Sequence, residues 1–200
     1  MSVAQRATQL RIPEAVRDIV IGPRRLEARV AEMAHQINSD YPGEEICAVG
    51  VLNGALPFLC DLVRRVTIPV SIDFVAVSRY RSGQPAAGVR LTQKLQDDIR
   101  GRHVLLVDCL LDTGLSLDFV VRRLQGCSPA SLFICTLLSR PELRLAELPV
   151  RYLGFEVGEE FLIGYGLDFQ GYFRELPYIA SMRRGWVEEE AEALLDRMSA

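Results

Sequence analysis

The chain has 200 residues, of which 49% are hydrophobic and 24% charged, with a formal net charge of -3 at pH 7. That length fits one domain with a small appendage, and the hydrophobic share is enough for a full core. The weakly acidic balance, with no basic stretch, argues against a nucleic-acid partner. No apolar run reaches the roughly 18 residues a membrane span needs, so no membrane partner is expected.

Residues Met1 to Asp18 mix charge throughout and lack the apolar centre of a signal peptide. The five cysteines (Cys47, Cys60, Cys109, Cys127 and Cys135) form no CxxC pair, and an odd count argues against a disulfide framework. They read as reduced thiols of a cytoplasmic protein. Lysine occurs once, as Lys94, while arginine is abundant.

Residues 24–39 place Leu26, Val30, Met33, Ala34 and Ile37 on one face of a helix, and Tyr41-Pro42-Gly43 ends it. Ile46 to Leu52 reads as a buried strand, Asn53-Gly54 as a turn, and Ala55 to Val66 as a helix. Val70 to Val77 reads as a strand, residues 79–88 as a mobile surface loop, and Val89 to Leu95 as a strand with one wet face. A short apolar strand at 103–108 then leads through a turn into a helix near 115–125. Ser131 to Leu138, residues 151–157 and residues 161–167 read as three more strands, and Glu188 to Met198 as a terminal helix against which Trp186 packs. Neither His35 nor His103 has partners at metal-ligand spacing, so both read as structural. Alternating strands and helices imply parallel pairing and a doubly wound sheet. Ligands bind such sheets beyond the carboxyl ends of the strands. Three loops leave those ends with suggestive chemistry: Leu52-Asn53-Gly54, Asp108 to Ser116, and Leu138-Ser139-Arg140.

The second of these loops is the most informative. A buried strand reaches Asp108, and Asp112-Thr113-Gly114 and Ser116 follow at a helix start. Standing alone, that tripeptide is an ordinary capping turn. Behind an apolar strand that ends in an acid, it presents backbone N–H groups, two hydroxyls and a positive helix end, which together hold a phosphate. Two carboxylates beside such a site suggest a divalent cation or a cationic sugar ring. Further on, Gly164-Tyr165-Gly166-Leu167-Asp168 precedes Tyr172-Phe173-Arg174. Phe161 and Leu162 suit a flat ring, Asp168 a metal, and Arg174 a phosphate held by two parallel donors; the alternative is an edge strand with a solvated Asp168–Arg174 pair.

These motifs, in this order, resemble the type I phosphoribosyltransferases and, among them, the hypoxanthine-guanine phosphoribosyltransferase family. The resemblance runs from about residue 19 to residue 182. Val49 to Phe58 resembles the pyrophosphate loop, Val77 to Tyr80 opens what resembles the flexible catalytic loop, and Val107 to Ser116 resembles the phosphoribosyl-pyrophosphate (PRPP) loop. Phe155-Glu156, Phe161 to Arg174 and Leu176 to Ile179 resemble the purine-binding hood segment.

The resemblance implies an α/β fold with a mostly parallel twisted sheet flanked by helices and a small hood subdomain. It implies a single domain over 1–200, with a core of about 23–150 and a hood drawn from the N-terminal segment and about 151–185. It implies a Mg²⁺-dependent purine salvage enzyme that takes PRPP and a 6-oxopurine to IMP or GMP and pyrophosphate, working as a homodimer or homotetramer. Asp112 is then the general base near N7. Asp108 lies under the ribose hydroxyls, and Asp108 and Asp168 serve the metal. Thr113, Gly114 and Ser116 hold the 5′-phosphate. Asn53 and Gly54, across a cis Leu52–Asn53 peptide, bind pyrophosphate with Arg174. Arg140, Phe161 and Leu162 bind the purine, and Arg79 and Tyr80 belong to the flexible loop.

Four positions depart from the family pattern. Asn53 stands where lysine is usual, Cys109 where a second acid is usual, Arg140 where a lysine reads the 6-oxo group, and Arg79 where serine precedes tyrosine. Two other expectations therefore stand beside the first: an enzyme for a different acceptor, or a non-catalytic protein that senses PRPP or nucleotide.

Overall fold

The computed structural model describes residues 13–79, 89–183 and 185. Tyr80, the rest of the 80–88 loop, Trp186 and the expected helix at 188–198 lie outside the described residues, as does the side chain of Arg79.

Six strands form the main sheet: β2 (Ile46–Leu52), β3 (Val70–Arg79), β4 (Val89–Gln93), β5 (His103–Leu111), β6 (Ser131–Ser139) and β7 (Val150–Glu156), in the order β4-β3-β2-β5-β6-β7. All neighbours pair in parallel except β4, which runs antiparallel to β3 at one edge. Helix α1 (Pro23–Asp40) starts with proline in its first turn and buries Leu26, Val30, Met33, Ala34 and Ile37, the stripe its spacing predicts. With α2 (Leu56–Val63) it covers one face of the sheet, and α3 (Leu115–Gln125) covers the other. Strands β2, β5 and β6 are apolar nearly throughout because both of their faces are covered. β4 alternates half-buried and exposed positions, as an edge strand covered on one side should.

A second, antiparallel sheet joins β1 (Val16–Ile21), β9 (Ile179–Met182) and β8 (Leu162–Ile163). Its own small core gathers Ala15, Val16, Ile163, Leu176, Tyr178, Ala180 and Met182. The expected α/β fold is therefore present, with a largely parallel sheet, helices on both faces and a small hood sheet.

The hood sheet differs from the sequence expectation, which includes neither β1 nor β9. The strand expected over 161–167 is only Leu162–Ile163. Gly164, Tyr165 and Gly166 all take positive φ (94°, 48° and 99°), which breaks extended backbone and turns the chain back on itself. The glycines there are required. A Cβ on Gly164 would run into the Tyr178 carbonyl oxygen, and one on Gly166 into the Gly54 carbonyl oxygen. All five cysteines are free, with Cys47, Cys109 and Cys135 buried. His103 has a structural place, with Nδ1 2.8 Å from Ser131 Oγ and its ring against Tyr41. Among the described residues no helix is long and apolar enough to cross a membrane.

Candidate active site

Strands β2, β5 and β6 are neighbours, so the loops after their carboxyl ends open side by side. The Leu52–Asn53 peptide at the end of β2 is cis, and the chain turns through residues 53–55 into α2. β5 runs past Asp108 as far as Leu111, and Asp112-Thr113-Gly114 makes the turn into α3. Gly114 caps α3 with φ 81°, and a Cβ there would press on Leu148 at 3.1 Å. Loop 140–148 packs over this turn: Leu145 N donates to Thr113 O at 2.9 Å, and Arg140 N to Leu111 O at 2.9 Å.

The predicted residues assemble into two groups joined by β5. In the first, Gly54 lies against the hood turn. A Cβ placed on Gly54 would sit 3.7 Å from Gly166 O and 3.9 Å from both Arg174 Nη1 and Cys109 Cβ. Arg174 donates to Gly166 O at 2.6 Å and pairs with Asp168 at 2.7 Å. The second oxygen of Asp168 accepts from Gly171 N at 2.7 Å. Asp168 and Arg174 therefore satisfy each other here. Tyr165, whose hydroxyl donates to Asp61 at 2.7 Å, fastens the same turn to α2. Burial first, and then the hydrogen bond to Asp61, favour the neutral phenol, and its pKa lies well above the usual range.

In the second group, Asp112 faces Arg140. Arg140 Nη1 is 3.6 Å from Asp112 Oδ1, a charge contact too long to be a hydrogen bond. Arg140 also donates from Nε to Gly158 O at 2.8 Å and from Nη2 to Glu160 O at 2.6 Å. That places the segment leading into Phe161 and Leu162 beside it. Phe161 is 42% exposed and meets Phe169 edge-on at 5.6 Å, while Leu162 is buried. A cavity of 310 Å³ opens between Arg140, the 141–143 turn and the 156–159 segment.

Asp108 is inside the site and poorly solvated. Burial pushes its carboxyl up to about 7, against the opposing pull of the Cys109 N–H on Oδ1 at 2.8 Å. Cys109 itself is 1% exposed, with its thiol aimed at Tyr165 O at 3.5 Å, and burial raises its pKa well above the normal thiol value. It is a neutral core thiol.

Among the described residues, three buried side-chain polar atoms lack a hydrogen-bond partner: Asp112 Oδ1, Thr113 Oγ1 and Arg144 Nε. All three belong to the loops after β5 and β6. Orphaned buried polar atoms are uncommon, and a ligand or water at this turn would complete their bonding. Arg144 is not singled out by the sequence, because nothing in the spacing of its loop distinguishes it. In the fold its Nη2 donates to Ser139 Oγ at 2.6 Å.

Residues 20–170 match the phosphoribosyl transferase domain family. The hypoxanthine phosphoribosyltransferase of Haemophilus influenzae is 41% identical over 169 residues, which cover 82% of this chain and 94% of the relative. The hypoxanthine-guanine phosphoribosyltransferase of Mycobacterium bovis is 36% identical over 177 residues, covering 85% and 88%. A crystal structure of a hypoxanthine-guanine phosphoribosyltransferase from Bacillus anthracis superposes with a TM-score of 0.79 at 37% identity, over 84% of this chain and 98% of that one. Fold and sequence agree, and the chain belongs to the phosphoribosyltransferase family, among its hypoxanthine-guanine phosphoribosyltransferase members.

Proposed function

We propose that this protein transfers the 5-phosphoribosyl group of PRPP to a 6-oxopurine, hypoxanthine or guanine, giving IMP or GMP and pyrophosphate. The observation that carries this reading is Asp112. It stands at the helix-start turn beyond β5, with a buried oxygen that has no donor, across from Arg140 and beside the segment bearing Phe161.

In the reaction the purine nitrogen bonds to C1′, the C1′–oxygen bond to pyrophosphate breaks, and the purine loses a proton. Asp112 takes that proton from the N7 side. Thr113, Gly114 and Ser116 hold the 5′-phosphate at the start of α3, where N–H groups and the helix dipole favour an anion. Asp108 receives the ribose hydroxyls. A carboxylate kept from water interacts strongly with a cationic neighbour, so the burial that raises its pKa also favours an oxocarbenium-like ring above it. Asn53, Gly54 and Arg174 bind pyrophosphate. Phe161 stacks on the purine, Leu162 offers backbone atoms to its edge, and Arg140 donates to the 6-oxo oxygen. Arg79 and Tyr80 belong to the flexible loop.

The donor set fits Mg²⁺, a hard cation that takes one or two carboxylates and leaves its other positions to water and substrate phosphates. Asp108 and Asp168 are the carboxylates that would hold it. When bound, the ion neutralises charge on the departing pyrophosphate oxygens. Until ligands arrive, Asp168 and Arg174 keep each other's charge paired.

The whole chain, 1–200, acts as one domain, with a core of about 23–150 and a hood from the N-terminal segment and about 151–185. It works in the cytoplasm as a homodimer or homotetramer.

Pyrophosphate release from PRPP and Mg²⁺, measured with hypoxanthine, guanine, xanthine and adenine, tests the reading. Turnover with a 6-oxopurine and none with adenine is expected. Turnover with adenine alone, or silence across the panel, would overturn it.

A further inference from the structure

Arg140 is bound more tightly than a group that only waits for a base. Its side chain is 12% exposed, against 40% for Asp112. The segment after β7 is anchored by backbone bonds at its two ends, Val157 N to Ser139 O at 3.0 Å and Met182 N to Phe161 O at 2.9 Å. Between those anchors, the carbonyls of Gly158 and Glu160 both accept from the Arg140 guanidinium at short distances. The third edge of the same group, Nη1, faces Asp112. The backbone of Arg140 is itself fixed by its N–H to the carbonyl oxygen of Leu111, the last residue of the strand before Asp112.

We infer that Arg140 is a positioning residue that straps the 157–161 segment to the Asp112 turn. The wall that stacks on the purine and the base that takes its proton are then set by one side chain. This rests on the reading of the site as a purine site. The chemistry is specific to arginine. Two carbonyls two residues apart and a carboxylate on another side require donors pointing in fixed, different directions, which a planar guanidinium supplies. An ammonium on a flexible stem carries the same charge at a point and does not brace three groups in this way. Nη1 faces Asp112 without a hydrogen bond to it, so a purine oxygen that meets this edge shares it with Asp112, and base binding and Asp112 geometry are coupled.

Amide hydrogen exchange of the peptide spanning 157–161 in the free full-length protein tests the strap without relying on activity. Arg140→Lys keeps the charge and removes the fork. Exchange there is expected to quicken roughly tenfold or more, with α1 and β6 unchanged. In steady state the same variant is expected to raise KM for the purine and leave KM for PRPP within about twofold. Unchanged exchange in Arg140→Lys overturns the strap whatever the kinetics. Faster exchange with an unaltered purine KM overturns its coupling to base binding. A wild-type protein silent on every purine overturns the functional reading instead, and the exchange result then still decides the strap.

Discussion

At the residue scale, the site is made of side chains whose chemistry depends on their surroundings. Asp112→Asn preserves shape and removes the base, so kcat is expected to fall by roughly 10²–10⁴-fold, measured by product formation at saturating substrates. Asp108 gives a pH prediction. Its folded-state pKa is raised, so the protonated form favours folding: its stabilising contribution is complete below about 4 and lost as pH rises through about 7. Without ligands, Asp108→Asn is therefore expected to unfold at higher denaturant than wild type near pH 8, with the gap closing near pH 4. An equal gap at both values would contradict the buried carboxyl.

Residue chemistry was only partly legible in the sequence. Asp112, Thr113 and Gly114 stand out because a strand, an acid and a helix start coincide. Cys109 read as a missing acid, and the fold adds that its side chain lies in the core against Tyr165. An Asp168–Arg174 pair is one of the sequence readings of this segment, and the pair is present, held in the 164–174 turn and half-buried where the sequence reading puts it on a solvated edge strand.

At the element scale, the turn 164–166 joins the hood to the loop after β2. Three successive positive-φ residues bring Gly166 against Gly54, and Arg174 and Tyr165 fasten the turn from either side. Gly166→Ala puts a methyl into the Gly54 carbonyl and keeps a φ that alanine resists. A loss of about 1–3 kcal/mol of stability is expected in denaturant unfolding, with KM for PRPP raised more than KM for purine. An unperturbed PRPP KM would separate this turn from the pyrophosphate site. Sequence periodicity gave the main-sheet strands and α1 to within a few residues, because burial on one or both faces writes itself into apolar spacing. It missed β1 and β9, and it overextended β8. These are short strands of a small sheet whose pairing is set by distant partners, such as Val16 with Met182.

At the scale of the whole molecule, the strand order explains why residues from 53 to 174 come together. β2, β5 and β6 lie side by side, so three loops open at one end, and the hood segment returns across them. That convergence was legible from the alternation of strands and helices alone. The closing of Arg140 onto Gly158 and Glu160 was not, since it depends on where the chain goes after β7. The most direct measurement of the central claim is formation of IMP from hypoxanthine and PRPP by wild type and Asp112→Asn side by side, with PRPP binding measured on both. The account predicts turnover by wild type, its near loss in the variant, and PRPP binding by each. Equal turnover in the two proteins, or PRPP binding without IMP from wild type, would contradict it.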